Sequence, residues 1–166
     1  MIIKNVPKEI DILDLLKPIE NLEIRRKKFE IYAKVKYGRW CKIPRTIAIE
    51  SELIEGVAYY IGDGRTKTNR GLSIIDGDES AIKFFIKWLQ RYFLVKKDNI
   101  KIKIKPNYKE VLIHRTMLKR IFDLIKPIIL KICTGNNKEF AIAYLRGIFA
   151  AEGCPKYTVK SGSRSV

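Results

Sequence analysis

The chain lacks any apolar run long enough to span a bilayer, because Lys interrupts every candidate, and Met1-Ile2-Ile3-Lys4-Asn5 does not begin a signal peptide. The expectation is a soluble, cytoplasmic protein with no membrane role. Cysteine is scarce too. Cys41, Cys133 and Cys154 are odd in number and share no paired spacing, so they offer neither a disulfide framework nor a zinc site and read as core thiols. His114 is the only histidine, which removes Ser-His and Cys-His catalysis unless His114 is itself the base; a lone His between a strand and a helix reads as structural. Acid is the other shortage. Against 34 Lys and Arg stand only 18 Asp and Glu, a formal charge of +16. Lys-rich thermophile surfaces raise Glu alongside Lys, and here Glu does not keep pace. A polyanion relieves such self-repulsion, so DNA or RNA is the expected partner, ahead of an anionic surface. With 166 residues and 46% hydrophobic content, the chain can bury the core of a domain or a domain and a half.

What is present is a short pattern that occurs twice. Val57-Ala58-Tyr59-Tyr60-Ile61-Gly62-Asp63-Gly64 returns as Arg146-Gly147-Ile148-Phe149-Ala150-Ala151-Glu152-Gly153. Each copy is an apolar helical stretch with two small residues four apart, Ala58/Gly62 and Gly147/Ala151, and so presents a groove along one face. Two such helices can pack with backbones nearly touching. A carboxylate follows the second small residue in each copy, then a Gly at which a helix stops in the left-handed conformation. If the grooves pair, Asp63 and Glu152 arrive together. Two adjacent carboxylates repel one another, and a divalent cation between or beside them relieves the repulsion. The repeat therefore predicts a metal site.

Residues 1–45 read as a basic leader. A helix is expected from Lys8 to Lys17, stopped by Pro18, and then Arg25-Arg26-Lys27-Lys28, Lys34, Lys36, Arg39, Lys42 and Arg45 are interleaved with Phe29, Tyr32, Tyr37 and Trp40. That mixture suits phosphate neutralisation with base stacking, and it also suits a solvated basic helix packing its aromatics on the core. Leu72 to Ile75 reads as a strand, Asp76-Gly77-Asp78-Glu79 as a capping box, and Ile82, Phe85, Ile86, Leu89 and Phe93 as the buried face of the helix it opens, with Trp88 and Phe84 in the core. Ile100 to Lys105 alternates strictly. The alternation sends Ile100, Ile102 and Ile104 onto a buried face and leaves Lys101, Lys103 and Lys105 as a comb of positive charge. Tyr108 to Ile113 completes a hairpin, and Leu118 to Ile132 forms an amphipathic stretch kinked or split at Pro127. Residues 46–134 thus form an α/β unit, 135–153 hold the second repeat helix, and 154–166 read as a short flexible tail.

The two copies resemble the motif of the LAGLIDADG homing endonucleases. Leu145 to Gly153 follows it closely, while the first copy carries Ala58 where the motif has its first Gly, and both replace the earlier acidic position, with Ile61 and Ala150. The resemblance implies an α+β half-domain of order α-β-β-α-β-β-α, with paired motif helices and a sheet that straddles double-stranded DNA. It implies Mg²⁺ or Mn²⁺ at Asp63 and Glu152 as catalytic ligands, with the carbonyls of Gly62 and Ala151 nearby, and hydrolysis of DNA phosphodiesters. The polar turn holding Arg65, Lys67 and Arg70 would face DNA with Lys101, Lys103 and Lys105. Only Cys154 to Val166 follow the second motif, so the expected unit covers half of a pseudo-symmetric site, as a truncated or inactive relic, as a fragment of a longer chain, or with a second chain supplying the missing sheet. A non-catalytic DNA or RNA binder on the same scaffold, maturase-like or regulatory, is the alternative, and a structural interaction domain a distant third.

Overall fold

Residues 7–64, 71–135 and 137–152 are described by the computed structural model. Among them the chain is α+β, with five helices and three small antiparallel sheets. Glu9–Asp11 (β1) pairs with Thr46–Ala48 (β5), placing Ile10 opposite Ile47. This pairing takes the first residues of the helix expected over Lys8 to Lys17. Only Ile12–Leu16 (α1) is helical, capped by Asp11, whose carboxylate accepts the Leu13 N–H at 2.8 Å. Local propensity yields here to a long-range strand partner.

The basic stretch that follows is a sheet rather than a helix. Leu22–Arg26 (β2), Glu30–Val35 (β3) and Cys41–Pro44 (β4) form an antiparallel meander in that order. Its period of two turns Ile31 and Ala33 inward with Cys41 and Ile43, and leaves Arg25, Tyr32 and Lys42 side by side on the other face. Ile31, Ala33 and Ile43 are fully buried and belong to the same core as Ile54, Trp88 and Phe122.

Ser51–Asp63 (α2), the first repeat helix, supplies the centre of that core, with Leu53, Ile54, Val57, Tyr59 and Tyr60 all buried. Glu79–Phe93 (α3) packs Phe85 and Trp88 against it. Gly56 is needed at the crossing, because a Cβ there would collide with the Trp88 indole. The cap of α3 is Asp78, which accepts the Ser80 N–H at 2.7 Å, in place of the reciprocal capping box that the sequence predicts. Tyr60 meets Phe122 edge-on at 4.7 Å across to Thr116–Cys133 (α4). That helix runs uninterrupted, where the sequence predicts a kink or split at Pro127. Pro127 and Asp123, the residue four before it, are both exposed, so the missing hydrogen bond falls on the solvent side.

The third sheet has Lys109–Ile113 (β8) between Leu72–Asp76 (β6) and Lys101–Ile104 (β7). Val111 and Ile113 on the central strand are fully buried. Ile102 lies opposite Val111, yet Ile102 and Ile104 are 48% and 76% exposed, where alternation predicts a buried isoleucine face. β6, the other edge strand, is buried because it lies against α2 and α3, so what leaves the β7 isoleucines exposed is the lack of comparable helix cover rather than the edge position itself. Lys138–Glu152 (α5), the second repeat helix, ends the described chain. No helix among the described residues is long and apolar enough to cross a membrane.

Candidate metal centre at the ends of the paired helices

Helices α2 and α5 lie side by side and parallel. At their starts the Ser51 hydroxyl donates to the Glu139 carboxylate at 2.6 Å, and further along Arg146 pairs with Glu55 at 3.0 Å. Gly147 then rests on the α2 backbone. A Cβ built there would collide with the Glu55 carbonyl and lie 2.7 Å from the Ala58 methyl and 2.9 Å from the Tyr59 nitrogen. One turn on, a Cβ on Gly62 would collide with the Cβ of Ala151. Ala58, Gly62, Gly147 and Ala151 are thus brought together, small residue to small residue, in one register.

That register carries Asp63 and Glu152 to the same end of the pair. Glu152 Oε1 lies 3.8 Å from the Cβ position of Gly62. Burial, then the neighbouring Asp76 carboxylate, with a smaller contribution from Glu152, pushes the Asp63 carboxyl up to about 7. Asp76, at the end of β6, is a member of this cluster that sequence reasoning missed, having assigned it only to a helix cap. It does both tasks. One oxygen accepts the Asp78 N–H at 2.8 Å and the other accepts the Tyr59 hydroxyl at 2.5 Å. Tyr59 also bonds toward Asp63, and burial beside the two carboxylates raises its phenol far above its ordinary range. The available signal was a lone carboxylate closing an apolar strand that must return to the end of the first repeat helix.

Both carboxylates stand at helix C-termini, where the backbone dipoles concentrate about half a negative charge each. In a chain of charge +16 this is an electronegative spot. An open cavity of about 840 Å³ adjoins it, lined among others by Tyr59, Asp76, Phe84, Phe149 and Ala151. Among the described residues no group of three or more His, Cys, Asp or Glu is arranged to hold a metal ion. The donor set present is two carboxylates from two helices. That fits a hard ion which keeps most of its water and draws further oxygens from a phosphate, and it does not fit an all-protein cage.

Gly64 differs from expectation. Its φ of −69° is extended, not left-handed, and glycine is needed because a Cβ would collide with the Tyr60 carbonyl and sit 2.8 Å from its ring. Gly64 already bridges Ile74 of β6, so the first strand of the expected order is represented among the described residues by a single bridge. Arg65, Lys67, Arg70, Cys154 and Gly153 lie outside the described residues. Lys101, Lys103 and Lys105 are exposed on or next to β7, and Lys103 approaches Glu110 at 3.7 Å. His114 is exposed, and its carbonyl accepts from Arg115 at 3.2 Å. Burial holds the thiols of Cys41 and Cys133 up at about 11, so neither is a ready nucleophile.

No protein-family model matches the chain, and no curated protein matches it either.

Proposed function

We propose that this chain contains one half-domain of a LAGLIDADG-type endonuclease and the docking helix of a second, acting on double-stranded DNA with Mg²⁺ or Mn²⁺ at Asp63 and Glu152. The observation that carries the reading is the parallel pairing of α2 and α5, which sets the carboxylates of both repeat copies at one end. The succession α2, β6, α3, β7, β8, α4 supports it further, since it departs from the family's half-domain only at the first strand. When bound, the cation supplies activation of water for in-line attack and charge stabilisation at the leaving 3′ oxygen. The chain's own residues do the rest. Asp63 and Glu152 are the ligands, and Gly62 and Ala151 are small enough to let them approach while adding their carbonyl dipoles. Tyr59 fixes Asp76 beside Asp63. Lys101, Lys103 and Lys105, with Arg65, Lys67 and Arg70, contact phosphates. The outer face of α5 bears Ile142, Leu145 and Phe149, 44%, 51% and 66% exposed, where the sheet of a second half-domain would dock.

A plasmid-nicking assay tests this. Supercoiled DNA should be nicked slowly in Mg²⁺ or Mn²⁺ and not in EDTA, and Asp63→Asn or Glu152→Gln should abolish nicking while leaving DNA binding intact or slightly tighter. Activity in Mg²⁺ that survives both substitutions would displace the site. The alternative, a non-catalytic DNA- or RNA-binding protein on the same scaffold, is favoured by one observation, the two-ligand donor set. Salt-sensitive binding with no nicking in either metal would establish it.

A further inference from the structure

The outer face of the β2-β3-β4 meander is built from cations and aromatic rings in alternation. Arg25 lies directly opposite Tyr32, and Tyr32 opposite Lys42. Trp40, entering β4, has the Arg25 guanidinium 4.5 Å and the Lys34 ammonium 5.1 Å from its ring centre. Lys27 stands 5.1 Å from the ring of Tyr32. The two turns repeat the theme at the rim. Phe29 and Tyr37 are 76% and 92% exposed, with Lys28 and Lys36 over their rings. Rings that served the core would point inward, where Ile31, Ala33, Cys41 and Ile43 already fill the space.

Tyr32 and Trp40 are shared by two adjoining concavities. One, of about 400 Å³, is bounded by the basic end of β2, and the other, of about 440 Å³, reaches across to Lys96, Asn99 and Arg115, with Asp98 the one carboxylate in its lining. Between Leu22 and Arg45 the chain carries nine Lys or Arg and only two Glu. Both glutamates hold neighbours in place. Glu23 pairs with Lys34 at 2.9 Å, while Glu30 binds Lys42 and accepts the Tyr32 hydroxyl at 3.0 Å. The cations lie over the rings, Arg25 and Lys34 over Trp40 and Lys27 over Tyr32, so an incoming base takes the place of a cation on a ring face and the displaced cation meets its phosphate.

We propose that this face binds an unpaired, single-stranded stretch of nucleic acid, its bases stacked on Trp40 and Tyr32 and its phosphates neutralised by the flanking Arg25, Lys34 and Lys42. Charge complementarity selects a polyanion. The half-buried Trp40 and Tyr32 rings in their concavities select one whose base faces are accessible, since a duplex hides those faces in its own stack and offers only phosphates. Neither contact reads the sugar, so unpaired DNA and RNA bind alike. The surface lies on strands that contribute nothing to the carboxylate pair, and it stands whether or not that pair cleaves.

Intrinsic fluorescence is the test, because the chain has two tryptophans and Trp88 is fully buried. A dT oligonucleotide of about 12 nucleotides, within the footprint of such sites, should quench the Trp40 emission, and an rU oligonucleotide of the same length should do so at similar concentration. Trp40→Ala should weaken dT binding about tenfold, in line with the loss of one stacked base, and leave the affinity for a duplex of equal length unchanged. Tyr32→Ala, should Trp40→Ala melt early, gives the same readout with the Trp40 signal retained. The proposal is overturned by dT binding without quenching, by equal losses for duplex and single strand in Trp40→Ala, or by a tenfold preference for one sugar.

Discussion

Asp63 is the residue on which the site's chemistry turns. A carboxyl held at about 7 in the folded chain, against an ordinary value of 3.8, binds a proton more tightly folded than unfolded. Its contribution to stability is therefore present below about pH 4 and is lost as pH rises through about 7. Metal-free protein should melt at a higher temperature at pH 5 than at pH 8 through this group. Asp63→Asn should flatten that difference. On the proposed reading, in which a cation binds the ionised pair, Mg²⁺ should raise the melting temperature more at pH 8 than at pH 5. Calorimetric melts of both proteins at the two pH values check this, and an unchanged pH slope in Asp63→Asn would place the repulsion elsewhere. The sequence identified Asp63 and Glu152 through their repeat. Asp76 was hidden because a carboxylate two before a helix cap reads as part of the cap, and only the strand's return to the end of α2 gives it a second neighbour.

At the scale of elements, the pairing of α2 with α5 was legible because close approach leaves a mark in sequence, small residues four apart. The mark also ranks the consequences. A Cβ on Gly147 collides with backbone, the Glu55 carbonyl and Tyr59 nitrogen, whereas the collision at Gly62 is with the Ala151 methyl, and its other neighbours, Ala151 Cα and Glu152 Oε1, are at ordinary contact distance. Gly147→Ala should thus destabilise more than Gly62→Ala, and Gly147→Leu should cost about 3 kcal/mol or more, at the upper end of overpacking effects. Transferring the methyl, as Gly62→Ala with Ala151→Gly, should recover most of the stability lost in Gly62→Ala alone, a coupling that denaturant titration of the four-protein cycle measures. The meander was not legible in the same way. Its Lys and Arg hid a period of two that Ile31, Ala33 and Val35 spell out, and strand pairing depends on partners that β3 finds only once β2 and β4 fold against it. Burial of the β7 isoleucines failed for a related reason, since alternation fixes which side chains share a face but not whether a helix covers that face.

At the scale of the whole molecule the charge of +16 favours a polyanionic partner, and on the proposed reading the carboxylates at the helix ends hold the cation. Lys101, Lys103 and Lys105 sit on an exposed edge strand, away from the buried Val111 and Ile113 that anchor the sheet, and replacing all three by Ser should leave the melting temperature nearly unchanged. If each lysine neutralises one duplex phosphate, the slope of log affinity against log salt should become shallower by about 2 to 3, since each phosphate that a lysine no longer neutralises removes about 0.9. Lys103, already near Glu110, should account for the smallest share. Fluorescence anisotropy of a labelled duplex at a series of salt concentrations reads both quantities. A triple variant that keeps the wild-type slope would show that duplex DNA lies along another face, and the basic strands β2 to β4 would then be the surface to dissect next.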